Sequence, residues 1–153
     1  MSLPIHPLVT HLPLGLSVLI PLLILVFMIL IKLEKVSPKL WMIVLGFQVL
    51  MTVSGYITIE TGETEEEIVK EVVGKKNIAL HEADGEKFVG ATVITLVLSI
   101  GSFFIDPKFR FRTHIAVLLA SIFSFALAVN VGRSGAELVY KHGAGEAYLR
   151  NMK

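Results

Sequence analysis

The chain has 153 residues, 54% of them hydrophobic and 18% charged, with a formal net charge of +1. Its mean hydropathy of +0.72 sets it apart from ordinary soluble domains, in which roughly 45–50% of residues are apolar, and its near-neutral balance offers no basic surface for nucleic acid. Cysteine is absent, which excludes disulfides, thiolate zinc sites and haem attached through C-x-x-C-H.

The first apolar run, residues 12–31, contains no charged side chain. It predicts a membrane span over about residues 8–32, because a helix needs roughly 20 apolar residues to cross the hydrocarbon core. A cleaved signal peptide would carry a basic leading segment and a small-residue cleavage site. Neither is found around this run, so it reads as a retained span. Pro7 suits the first helical turn, Pro13 is close enough to the start to be tolerated, and Pro21 is expected to kink the helix. A short basic turn with Lys32, Lys35 and Lys39 follows.

Residues 40–59 form a second uncharged run, predicting a span over about 40–60. The acidic segment 60–87 comes next. Within it, residues 64–74 read as a small amphipathic surface helix, with Ile68, Val69, Val72 and Val73 on one stripe. Thr64 and Glu67 would form its capping box. A third uncharged run, residues 88–105, predicts a span over about 84–105. The second basic turn holds Lys108, Arg110 and Arg112. Residues 113–132, with His114 as their one titratable side chain, give a fourth span over about 112–132. A glycine-rich tail, residues 133–153, ends the chain. The expected fold is therefore all-α: a single domain forming a four-helix transmembrane bundle. The dense charge of the two short turns places them in the cytoplasm, and both termini on the extracytoplasmic side.

On that topology His6, His11, His81 and His142 converge near the outer face, and imidazole is a common ligand for haem iron and zinc. His6 and His11 are five residues apart, about 140° around a helix, so each needs a partner from elsewhere. His11 with Gly15, and His81 with Gly85, share an H-x-x-x-G spacing that would leave a groove for a flat macrocycle. His142 is followed by Gly143. The shared spacing suggests pairing His11 with His81, leaving His6 and His142 for a second haem. Arg133 could pair with a haem propionate. Glu60, Glu82, Glu137 and Tyr140 are candidate supports for the ligands, while Gln48 and Asn130 are expected to hydrogen-bond between helices. His114, beside Arg110 and Arg112, reads as an interfacial side chain.

The opening I-H-P-L-V-T-H-L-P-L-G-L, the H-E-A-D-G at 81–85 and the closing G-R-S-G-A-E-L-V-Y-K-H-G-A-G-E resemble the motifs of the DUF2231 membrane proteins. The resemblance covers the whole chain and marks His6, His11, His81 and His142 as the family's motif histidines. Leu12 stands where the family has an aromatic residue, and Ala136 where it has glycine. Related domains fused to cytochrome-like modules imply a redox setting. The expected function is a b-type cytochrome of a bacterial or archaeal plasma membrane, with one or two haems on the extracytoplasmic side. It would pass electrons between a membrane carrier such as quinone and a partner protein. The alternatives are a zinc or other divalent-metal enzyme using the same histidines, and a non-catalytic assembly module. A homo-oligomer is compatible with each.

Overall fold

The computed structural model describes residues 4–151. Met152 and Lys153, the end of the expected tail, lie outside the described residues. Five α-helices follow in order: α1 (His6–Lys32), α2 (Trp41–Val73), α3 (Lys75–Gly101), α4 (Pro107–Tyr140) and α5 (Ala144–Asn151). Local chemistry sets their ends. Pro7 opens α1 and the helix runs on through Pro13 and Pro21. Ser37 caps a 3-10 turn (Pro38–Leu40) that leads into α2. Asp106 Oδ1 accepts the Lys108 N–H at 3.0 Å to start α4.

Two segments differ from the sequence reading. The expected surface helix at 64–74 is part of α2, which continues unbroken for 33 residues, about 50 Å at 1.5 Å per residue. Thr64 is no cap: its hydroxyl donates to the Thr61 carbonyl at 2.9 Å, a helix-interior bond. The turn comes at Gly74, where φ is +84°, a conformation that excludes most side chains. The acidic segment is thus a helical hairpin rising beyond the apolar zone. The expected tail is helical too. α4 extends to Tyr140, Gly143 turns the chain at φ +74°, and α5 folds back against α2 and α4.

α1 and α3 each pack against both α2 and α4, so the four long helices close into an up-and-down ring. Leu16, Ile20 and Ile24 of α1 meet Trp41, Val44 and Met51 of α2, Phe88 and Val89 of α3, and Val117 of α4 in one core. Hydroxyls share the interior. Thr92, Thr95, Ser121 and Ser124 are buried and bond mostly to carbonyls of their own helices. Leu22, Ile29, Ile94, Val97, Leu119 and Phe123 face outward. That inversion, with hydroxyls inside and large aliphatic and aromatic side chains outside, suits a lipid solvent.

Among the described residues, three helices are long and apolar enough to cross a membrane: α1, α2 with its 3-10 lead-in, and α4. In α3, Asp84, Glu86 and Lys87 precede the uncharged stretch, and the helix ends at Gly101. Its uncharged part spans only about 21 Å.

Candidate functional site

The site forms where α1 begins, above the apolar core, against α2, α3 and α4. α1 has no local side-chain cap. Glu65, far along α2, supplies one instead: its Oε1 accepts the Ile5 N–H at 2.6 Å and the His6 N–H at 3.2 Å. Its other oxygen accepts the Tyr148 hydroxyl of α5 at 2.7 Å. Burial and that bond raise the Tyr148 hydroxyl's pKa above the ordinary tyrosine range. The extension of α2 therefore fixes His6 and ties it to the last helix.

His6 and His81 meet edge to face, with ring centres 6.1 Å apart and planes at 89°. The hydrogen bonds around them determine their tautomers. His6 Nδ1 lies 2.9 Å from the Thr58 carbonyl, which can only accept, so Nδ1 carries the proton. Thr61 Oγ1, 3.4 Å from the same nitrogen, spends its own hydrogen on Thr58 O. His81 Nδ1 lies 2.9 Å from Ser134 Oγ, and that hydroxyl donates to the Val131 carbonyl at 3.2 Å. With that hydroxyl turned to Val131, Ser134 is the acceptor and His81 Nδ1 carries the proton. Both Nε2 atoms then keep a free lone pair. Burial, then the neighbouring His6, hold the His81 pKa below the ordinary histidine value, with Asp84 opposing. The neutral, ligating form is favoured.

The two rings are in edge-to-face contact, and each Nδ1 has an oxygen partner of the kind that ligand histidines take. Two imidazoles could serve as ligands of a haem iron, whereas a structural zinc takes four protein ligands. Among the described residues no third histidine or carboxylate joins the pair in a metal-sized group.

The other expected residues stand elsewhere. His11 is exposed, so the pairing the structure makes is His6 with His81, not His11 with His81. His142 accepts from Asn77 Nδ2 at 3.3 Å through its Nδ1. The neutral His142 must then be the Nε2–H tautomer, without a free lone pair at either nitrogen. It lines an open cavity of about 620 Å³ with Val72, Val139, Tyr140 and Leu149. Gly143 is the left-handed turn beside it. Gly15 and Gly85 have open space where a Cβ would stand. The glycines that touch imidazoles are Gly62, against His6, and Gly135, against His81. Helix periodicity cannot reveal them, because both contacts cross between helices. Arg133 is exposed and pairs with Glu137 at 3.5 Å. Glu60 and Tyr140 are exposed as well. Glu82 is half-buried, and burial and then Glu66, Glu63 and Glu86 raise its pKa.

At the opposite end, His114 is buried and stacks on Trp41, with ring centres 3.7 Å apart and planes at 12°. The interfacial reading of His114 is therefore replaced by a packed one. Gln48 and Asn130 do not bridge helices: both amide atoms of Gln48 are buried without a partner, and Asn130 is exposed.

An all-helical bundle with three apolar crossing-length helices and a paired-histidine cap defines an integral membrane protein. The chain belongs to the DUF2231 family, described as predicted membrane proteins, whose profile matches residues 2–147. No curated protein and no solved structure matches it.

Proposed function

We propose that this protein is a small b-type cytochrome in which His6 and His81 would supply the imidazole ligands of one haem. The observation that carries the reading is the histidine pair itself: two imidazoles 6.1 Å apart, each with Nδ1 engaged by oxygen. Bound haem would supply one-electron redox chemistry at a potential set by ligation and dielectric. The chain's own residues orient the ligands. The Thr58 carbonyl and Ser134 hold the rings, while Glu65 fixes the start of α1. One haem is proposed rather than two, because His11 is exposed and His142 Nδ1 is engaged by Asn77.

In this reading α3 also crosses the bilayer, giving four spans with both termini and the histidine pair on the extracytoplasmic side. The setting is a bacterial or archaeal plasma membrane. Electrons pass between a membrane carrier, for which quinone is the class proposed, and a partner at the outer face.

The test is the absorption spectrum of detergent-purified protein grown with sufficient haem precursor, before and after dithionite. A Soret band that shifts on reduction with resolved α and β bands, lost in His6→Ala and His81→Ala and kept in His11→Ala, is expected. A colourless preparation that takes up no added haemin would overturn the reading, and stoichiometric zinc in it would point to the metal-enzyme alternative.

A further inference from the structure

The end of the bundle away from the histidine pair carries a second site. Its two short turns and adjoining helix ends hold Lys32, Lys35, Lys39, Lys108, Arg110 and Arg112 against only Glu34 and Asp106. Several of these cations have partners. Lys108 pairs with Asp106 at 3.5 Å and lies 4.9 Å from the Phe109 ring. Arg112 lies over the same ring at 5.8 Å, and Lys32 over Phe111 at 5.3 Å. Lys35 and Lys39 are exposed. Arg110 differs from them in burial: its Nε is buried without an acceptor, and it too forms no ion pair or hydrogen bond among the described residues.

One helical turn further along the same face of α4 is His114, stacked on Trp41. Trp41 is 2% exposed and His114 4%. Trp41 Nε1 and His114 Nε2 are both buried without partners. Trp41 Nε1–H and Arg110 Nε–H can only donate, so what this corner lacks is an acceptor. An unpaired cation next to low dielectric is costly, and the group that best relieves it is an anion with several acceptor oxygens. Exposed Phe103, Phe104, Phe109 and Phe111 surround the cluster, as aromatic side chains do at headgroup depth. Basic pockets between helices at that depth recognise anionic headgroups.

We infer that the phosphate of an anionic membrane lipid binds between the starts of α2 and α4, with Arg110 as its principal ligand and Trp41 and His114 beneath it. This inference does not depend on the haem reading.

Trp41 is the chain's single tryptophan, so its fluorescence reports this site in the wild-type protein. The experiment titrates phosphatidylglycerol, and separately phosphatidylcholine, into the full chain in a neutral detergent. A saturable change in Trp41 emission with phosphatidylglycerol alone is expected. Arg110→Gln should weaken it by about tenfold, against about twofold for Lys108→Gln, because only Arg110 makes the direct charge-assisted contact. Equal responses to the two lipids would overturn the inference, as would equal losses in the two variants, which would mark diffuse attraction. Inorganic phosphate reproducing the full change at the same concentrations would overturn the lipid assignment in favour of a free anion. The wild-type titration stands even if Arg110→Gln fails to fold.

Discussion

Replacing Gly135 by alanine separates the site seen in the tertiary structure from the one the sequence suggests. A Cβ at Gly135 would lie 3.2 Å from His81 Cε1, inside ordinary contact distance, so the ring must move by a few tenths of an ångström. It has little freedom to do so, being held by Ser134 at 2.9 Å and faced by His6 at 6.1 Å. Overpacking of this kind costs about 1–3 kcal/mol, against a gain of about 0.8–1.0 kcal/mol for alanine over glycine in a helix. The net is a loss of about 0–2 kcal/mol. Gly85→Ala carries the same helix gain with open space around its Cβ, so it should stabilise by about 1 kcal/mol. The two variants should therefore differ by about 1–3 kcal/mol, or roughly 2–12 °C in melting temperature at 2–4 °C per kcal/mol. The assay is thermal unfolding followed by circular dichroism in one detergent. Nitrogen NMR of labelled histidines would show whether His81 keeps its Nδ1–H tautomer. If Gly135→Ala melts with Gly85→Ala and leaves the His81 signals unmoved, the packing argument is refuted.

Four further outcomes follow from the same geometry. Ser134→Ala should leave the His81 Nδ1–H without an acceptor, destabilising the chain by about 1–3 kcal/mol and weakening haemin uptake by about 10–100-fold, read by Soret titration. Stability should fall in acid. Burial and His6 set the His81 pKa below its unfolded value of 6.5, so the unfolded chain binds the proton more readily. The contribution is intact above pH 6.5 and lost as pH drops below it, and His81→Gln should flatten that slope in melts across pH. Gly55→Ala, whose Cβ would meet Val89 Cγ2 at 3.0 Å, should cost a net of about 0–2 kcal/mol, and adding Val89→Ala should recover part of the loss in a double-mutant cycle. Tyr148→Phe removes one bond to Glu65 and should lower stability by about 0.5–1.5 kcal/mol, with faster amide exchange at Ile5 and His6 as the accompanying sign.

The uncharged runs at 12–31, 40–59 and 113–132 were legible as membrane-crossing helices, because hydropathy acts residue by residue and needs no partner. His6 and His81 stand out in the sequence in the same local sense, through their motifs. The hairpin at Gly74 was not legible. The charges of 60–87 suggested a short surface helix within an acidic connection, yet one left-handed glycine suffices to join two helices that support each other above the apolar zone. Nor could spacing say that His6, rather than His11, meets His81. That choice depends on which face of α1 turns toward α2, and a cap donated by Glu65 some 60 residues away helps fix it. Tautomers, ring separation and the contacts of Gly62 and Gly135 are relations between helices. The same holds for Trp41 on His114: His114 reads alone as an interfacial side chain, and only packing stacks it on Trp41. The sequence by itself determined which segments prefer lipid, since that is a property of consecutive residues. The tertiary structure decided which side chains face one another, because that depends on helix rotation and register, set by contacts distant in the chain.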